Sequence, residues 1–272
     1  MNRKIAWTAA LVAFGLGWNA NADLAAALGS DSRAAEDRAR DAGRKPAEVI
    51  AYLGIGDGMT VMDLMASGGY YTEVLSLAVG PTGRVYAQNT PLFLQFADGM
   101  YDKAMTARLA DGRLGNVERV DRDLPELGME PGSLDAAFTA LNFHDVHNGL
   151  GEDVWGGDAA AAGFLRVVKM LLKPGGVLGI VDHYGDADKD NTGLHRLDVV
   201  RAAPILEASG FIVESSAVLR NPADDRTTMV FDPAIRGQTD RVLYKLTKPP
   251  EIAPTPTEAE EGAPAGDASG DV

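Results

Sequence analysis

Short apolar runs alternate along this chain with longer stretches in which apolar residues return every three or four positions. The runs at 61–64, 84–87, 117–120, 134–141 and 177–181 are four to eight residues long and bounded by turn residues, which predicts buried strands. The helical spacing at 30–51, 92–109, 159–172 and 198–209 predicts helices between them. In the first of these, Ser30 or Asp31 is placed to cap, and Pro46 with Glu48 marks a second start that carries Val49, Ile50 and Leu53 inward. Alternation at this spacing implies a parallel sheet covered on both faces. Two late strands, 211–219 and 241–246, are separated by the polar insertion 220–241 and are expected to close the sheet as an antiparallel pair. Asp224, Asp225, Arg226, Asp240 and Arg241 in that insertion are expected to pair with one another, the alternatives being a lid formed with Arg196 and a contact of Arg226 or Arg236 with an acidic substrate group.

The stretch Val61-Met62-Asp63-Leu64-Met65-Ala66-Ser67-Gly68-Gly69-Tyr70-Tyr71-Thr72-Glu73 organises the pattern. An apolar strand runs into an aspartate, a turn of small residues and the start of a helix. Such a junction points backbone N–H groups at whatever lies beyond the carboxyl ends of the strands, the preferred ligand edge of an open α/β sheet.

Composition narrows the reading. With 272 residues and 46% hydrophobic content, one α/β domain with a sizeable core is expected. A formal net charge of −14 argues against a nucleic-acid partner. The chain contains no cysteine, which removes disulfides, thiolate metal sites and cysteine nucleophiles.

The two ends differ from the middle. Residues 1–22 read as a signal peptide: Arg3 and Lys4 precede an apolar stretch to Trp18, and Ala20-Asn21-Ala22 offers small residues for cleavage after Ala22. Export to the periplasm follows, with no stable membrane association once the leader is removed. Residues 23–46 form a helical lead, 47–247 the main domain, and 248–272 a Pro/Glu/Ala-rich tail that cannot bury enough apolar surface to order itself.

Over roughly 45–247 the order of elements resembles the class I S-adenosylmethionine (SAM)-dependent methyltransferases. More closely, the chain is similar to a group of exported bacterial proteins labelled predicted methyltransferases. The stretches that carry this are Gly68-Gly69-Tyr70-Tyr71-Thr72-Glu73, Leu141-Asn142-Phe143-His144-Asp145, Val181-Asp182-His183, Leu194-His195-Arg196-Leu197-Asp198 and Phe231-Asp232-Pro233. The resemblance implies a Rossmann-like α/β fold with a mostly parallel seven-stranded sheet, a terminal antiparallel hairpin and helices on both faces. It implies SAM as cofactor and a small-molecule substrate.

Carried over by position, Asp63 and the turn Ala66, Ser67, Gly68, Gly69 and Tyr70 would lie under the methionine part of SAM. Met65 and Ser67 stand where the family has its first two glycines. Gln88 and Asn89 stand at the ribose position, usually acidic, and an amide accepts weaker hydrogen bonds than a carboxylate. Asp123 fits the position that meets the adenine amino group, its alternative being a loop cap before Leu124-Pro125. Asn142 ends the fourth strand, where amino-methylating members continue with two prolines that are absent here. An exported ligand-binding or non-methylating protein that reuses the fold is the second reading.

The four histidines are grouped. His144-Asp145 and His147 follow the fourth strand, Asp182-His183 follows the fifth, and His195 opens the next helical region. On a parallel sheet those strand ends are neighbours. Three roles stand: His144 or His183 as general base, with Asp145 or Asp182 orienting the ring; a mixed His/Asp metal site; or hydrogen bonds that tie loops. No pair has the helical i, i+4 spacing of a zinc protease, so the sequence assigns no metal ligand.

Overall fold

The computed structural model describes residues 17–149 and 156–251. Residues 1–16 of the expected leader and 252–272 of the expected tail lie outside the described residues. The strands are β1 (Thr60–Leu64), β2 (Arg84–Asn89), β3 (Val117–Asp121), β4 (Leu134–Ala140), β5 (Leu172–Gly185), β6 (Leu197–Asp198), β7 (Ile212–Ser216) and β8 (Arg241–Thr247). They form one sheet in the order β3-β2-β1-β4-β5-β8-β7, with the two-residue β6 pairing β5 off this path. β8 runs antiparallel to β5 and β7, and β1 to β5 run parallel. This is the expected sheet and hairpin.

The helices are α1 (Gly17–Leu28), α2 (Ala35–Arg44), α3 (Pro46–Leu53), α4 (Tyr70–Val79), α5 (Pro91–Leu109), α6 (Phe143–Asn148), α7 (Asp158–Leu171), α8 (Asn191–Leu194) and α9 (Val199–Ala208). Alternate strand residues feed two cores. Val61, Ala136, Phe138 and Val181 pack with Leu24, Leu28, Val49, Ile50, Leu53 and Val74 from the α1, α3 and α4 side. Met62, Leu64, Ala137 and Ile180 pack with Leu165, Val168, Ala202 and Leu206 from α7 and α9. Burial on both faces is why these strands read as continuous apolar runs. Gly179 in β5 has a packing reason: an added Cβ would lie 2.5 Å from Leu53 Cδ1 and 2.9 Å from Phe138 Cδ2.

The stretch 30–51 divides at Pro46, the expected second start, where Lys45 takes a left-handed conformation with φ 44°. Ser30 does not cap it; its hydroxyl accepts from the Ser32 N–H at 3.2 Å, and α2 starts at Ala35 without a side-chain cap. α5 is interrupted internally: Phe96 is extended, and Ala97, Asp98 and Gly99 are left-handed with φ between 48° and 73°. Its first turn, capped by the Thr90 hydroxyl, is thus a separate piece from the part that carries the buried Met105.

Within the insertion after β7, Arg226 and Asp240 pair as expected, whereas Asp225 accepts from Thr227 and Arg241 donates to Thr239 and the Gly43 carbonyl. Arg220 and Arg226 both meet Asp240, at 2.8 and 3.0 Å, and Arg226 also meets Asp186 at 2.9 Å. Arg196, fully buried, meets Asp224 at 2.9 Å.

Candidate functional site

The carboxyl ends of β1, β2, β4 and β5 meet along one edge, and the turn after β1 is its centre. That turn is tied down by its neighbours. Gln88 Oε1 accepts from the Met65 N–H at 3.0 Å, and the Gln88 carbonyl accepts from the Ala66 N–H at 2.8 Å. Asn89 Oδ1 accepts from the Ser67 N–H at 2.8 Å, while the Gly69 N–H bonds the Ala66 carbonyl at 2.9 Å. From the other side the Asn142 amide donates to the Met65 carbonyl at 3.0 Å. Gln88 and Asn89, expected at the ribose, are both buried and clamp this turn instead.

The glycines of the turn face helix α5. A Cβ on Gly68 would sit 3.1 Å from Ala104 Cβ, and one on Gly69, which has φ 82°, would sit 2.8 Å from Arg108 Cδ. Arg108 Nε also donates to the Gly68 carbonyl at 2.8 Å, and its guanidinium pairs with Glu73 and Asp37. These two glycines therefore let a helix approach closely, the role given to the last glycine of dinucleotide turns. Tyr70 turns away from the edge, its hydroxyl donating to Asp41 on α2 at 2.5 Å. Asp63 is buried beneath the turn and accepts from the Thr72 hydroxyl at 2.6 Å. Burial pushes its carboxyl up to about 7, with the Thr72 bond and the more distant Arg108 and Arg44 pulling the other way.

Beside the turn is a cavity of about 120 Å³, lined by Met65, Thr90, Leu92, Phe93, Asp123, Asp145 and Val146. Met65, left-handed at φ 51°, forms a wall where a glycine would leave space. Asp123 is exposed and makes no cap hydrogen bond, so the loop-cap alternative does not form, and its carboxylate is left to the cavity. Thr90, Leu92 and Phe93 were not anticipated as lining residues. The signal was present, since Thr90-Pro91 is a helix start placed directly after β2.

Across the cavity lies the histidine group. Asp182, fully buried at the end of β5, accepts from the backbone N–H of His144 and of His183, both at 2.7 Å. It also bonds His144 Nδ1 at 2.8 Å. A carboxylate only accepts, so Nδ1 carries the proton and His144 Nε2 is left with its lone pair. Nε2 is buried without a hydrogen-bond partner and lies 3.3 Å from Asp145 Oδ1, off the line a bond requires. His195 Nδ1 lies 3.7 Å from the same oxygen. Burial disfavours the charged ring of His144, but the adjacent carboxylates of Asp182 and Asp145 outweigh it and raise its pKa. Asp145 is raised by burial and by Asp182, against the pull of the two histidines.

His183 stands behind this pair, with Nδ1 on the Thr239 hydroxyl at 2.7 Å and its ring centre 6.2 Å from that of His144. Burial and then the charge of Arg241 hold it well below the usual histidine range, so it is neutral. His147 is apart from the group: it bonds Asn148 at 3.2 Å and lies 3.7 Å from Asp158 on α7. The group at this edge is therefore His144, His183, His195, Asp145 and Asp182.

The architecture has solved counterparts. A SAM-dependent methyltransferase from Aquifex aeolicus is 24% identical over 74% of this chain and 88% of its own, with a TM-score of 0.52. The fold is that of the class I methyltransferases. The YcgJ protein of Bacillus subtilis shares it at 13% identity over 76% of this chain and 99% of its own, with a TM-score of 0.52. So does the [4+2]-cyclase SpnF, at 16% identity over 84% of this chain and 94% of its own, with a TM-score of 0.56. A cyclase on this frame separates the methyltransferase fold from methyl transfer as an activity. No family model and no curated protein matches the chain.

Proposed function

We propose that this protein is a SAM-dependent methyltransferase acting on a small molecule, with the cofactor lane running from Asp123 past Met65 to Asp145. The observation that carries the reading is the placement of Asp123 and Asp145 on one cavity of a class I methyltransferase fold. When bound, SAM supplies an already activated methyl group, so the protein needs chiefly to position an acceptor and receive its proton.

The lining residues fit such a cofactor at its adenine end. Asp123 has an uncommitted carboxylate there, and Thr90, next in the chain after the committed amides Gln88 and Asn89, lines the same cavity. The present space does not hold the whole cofactor: about 120 Å³ is below the ~300 Å³ at which small-molecule sites begin. Leu92 and Phe93 on the first turn of α5 supply the shortfall if that turn swings at the break over Phe96 to Gly99. At the acceptor end, Asp182 fixes the His144 ring with the buried Nε2 beside Asp145, which lines the cavity, and this pair takes up the acceptor's proton. His183, neutral and bonded to Thr239, holds the ring from behind.

Calorimetric titration with SAM and S-adenosylhomocysteine tests the reading. Micromolar binding is expected, weakened about tenfold by Asp123→Ala, the loss of one hydrogen bond to a charged group. A folded chain that binds neither compound leaves the second reading, a ligand-binding or non-methylating protein on the same fold. The small cavity and the committed amides are what favour that alternative.

We also propose that the protein is exported and its leader removed after Ala22. Among the described residues no helix is long and apolar enough to cross a membrane. N-terminal sequencing of the protein recovered from cells should begin at Asp23; a chain that begins at Met1 would remove the export reading.

A further inference from the structure

The group at the acceptor end includes His195, which general-base chemistry by His144 and Asp145 does not use. One ligand atom from each of His144, Asp145 and His195 lies within 4.8 Å of the others, and His144 Nε2 and His195 Nδ1 are 3.3 Å and 3.7 Å from the shared Asp145 Oδ1. Zinc bonds of ~2.0–2.2 Å at tetrahedral angles put neighbouring ligand atoms roughly 3.3–3.6 Å apart. We propose that His144, Asp145 and His195 bind a single divalent transition-metal ion of the zinc class, with the remaining coordination position open to the cleft. The proposal takes from the functional reading only that the cleft is where the acceptor sits; with an ion bound, His144 is a ligand and the ion receives the acceptor's oxygen.

Three independent features support it. The first is the orphaned lone pair. Nδ1 of His144 is committed to Asp182, so Nε2 keeps an unshared pair without a hydrogen-bond partner, 3.3 Å from Asp145 Oδ1 and off the line between the two atoms. Two acceptors this close repel unless they share a positive centre. A proton satisfies that one pair; a metal ion satisfies both and engages His195 as well.

The second is the carboxylate behind the ring. Metal-binding histidines characteristically donate their other N–H to a carboxylate or carbonyl, which fixes the tautomer and raises ligand basicity. Asp182 does this here, and its own orientation is fixed by the two backbone N–H groups it accepts from.

The third is the position of His195. It closes α8 as a left-handed C-cap at φ 53°, and its ring, backed by Phe231 at 5.0 Å between centres, stands 5.7 Å from the His144 ring across Asp145. Two imidazoles and one carboxylate suit zinc, iron(II) or manganese, and three protein ligands with an open position are the composition of catalytic rather than structural zinc sites.

Titration of the full mature chain, freed of metal by chelation, with zinc chloride in a calorimeter tests the proposal. Cobalt(II) in a parallel titration reports geometry through its visible absorption. One equivalent of zinc is expected to bind at micromolar concentration or below. His195→Ala and Asp145→Asn are each expected to weaken it at least tenfold, and His147→Ala to leave it unchanged. Because the His195 ring is partly exposed, His195→Ala is expected to fold, and circular dichroism checks that. Absence of stoichiometric uptake by a folded chain overturns the proposal, as does His195→Ala and Asp145→Asn binding zinc with undiminished affinity. Zinc binding without SAM binding would sink the methyltransferase reading alone, and SAM-dependent turnover by a chain that takes up no zinc would sink this one alone.

Discussion

Asp63→Asn should make the protein more stable at pH 8. The carboxyl of Asp63 ionises at about 7 in the folded chain and at ~3.9 when unfolded. Between those values the folded state keeps a proton that the unfolded state has lost, so stability falls as pH rises through the window. Three pH units correspond to a ceiling of ~4 kcal/mol. Asparagine keeps an oxygen to accept from Thr72 Oγ1, 2.6 Å away in the native protein, and has no charge to bury. Urea unfolding of both proteins at pH 5 and pH 8 reads the effect. The difference between them should grow with pH, and a difference that stays constant would mean that Asp63 does not titrate in this range. A protein that accepts such a cost beneath its glycine turn is consistent with a site kept for a cationic ligand, which would draw the carboxyl back to its ionised form.

Arg196→Met is expected to be among the most damaging single changes. Both partners of the Arg196–Asp224 pair are essentially closed to solvent, and the guanidinium also donates to the carbonyls of Tyr184 at 3.2 Å and Thr228 at 3.0 Å. Removing the cation leaves Asp224 buried beside only the Asp240 and Arg226 N–H groups. Breaking one side of a buried pair typically costs ~3–5 kcal/mol. Chemical denaturation measures it directly. A loss under about 1 kcal/mol would mean that the insertion opens and lets water reach Asp224. The same substitution should loosen the neighbouring ring of His195, because Val230 N–H bonds the Leu194 carbonyl at 3.3 Å and Phe231 follows it.

Much of this arrangement is legible in the sequence because burial on both faces writes itself as apolar runs. β1, β4 and the core of β5 stand out for that reason, and their order predicts that Asp63, Asn142, His144 and Asp182 share one edge. What the sequence hides is how polar side chains choose between ligand and backbone. Gln88 and Asn89 occupy a ligand position by register, and nothing in their identity announces that both amides are spent on the turn. The same is true of His144 and His147: three residues apart on a helix only six residues long, they serve different partners. The break in α5 is hidden too, since apolar spacing continues through Phe96 and Met100 while Ala97 to Gly99 leave the helical region. β5 starts at Leu172, earlier than its apolar run, because Leu172 pairs Leu134 before Lys173 to Gly176 bulge out of the ladder, which resumes with Val177 opposite Ala136.

The first helix has a consequence for the order of events in the cell. Leu24 and Leu28 are buried among Val49, Leu53 and Val74, and α1 spans the junction at which the leader is expected to end. A peptidase needs several residues of extended chain across its catalytic groove, and a docked helix offers none. If the leader is removed after Ala22, as proposed, its removal has to come before α1 seats on the sheet, and the chain then crosses the membrane unfolded and completes its core only on the far side.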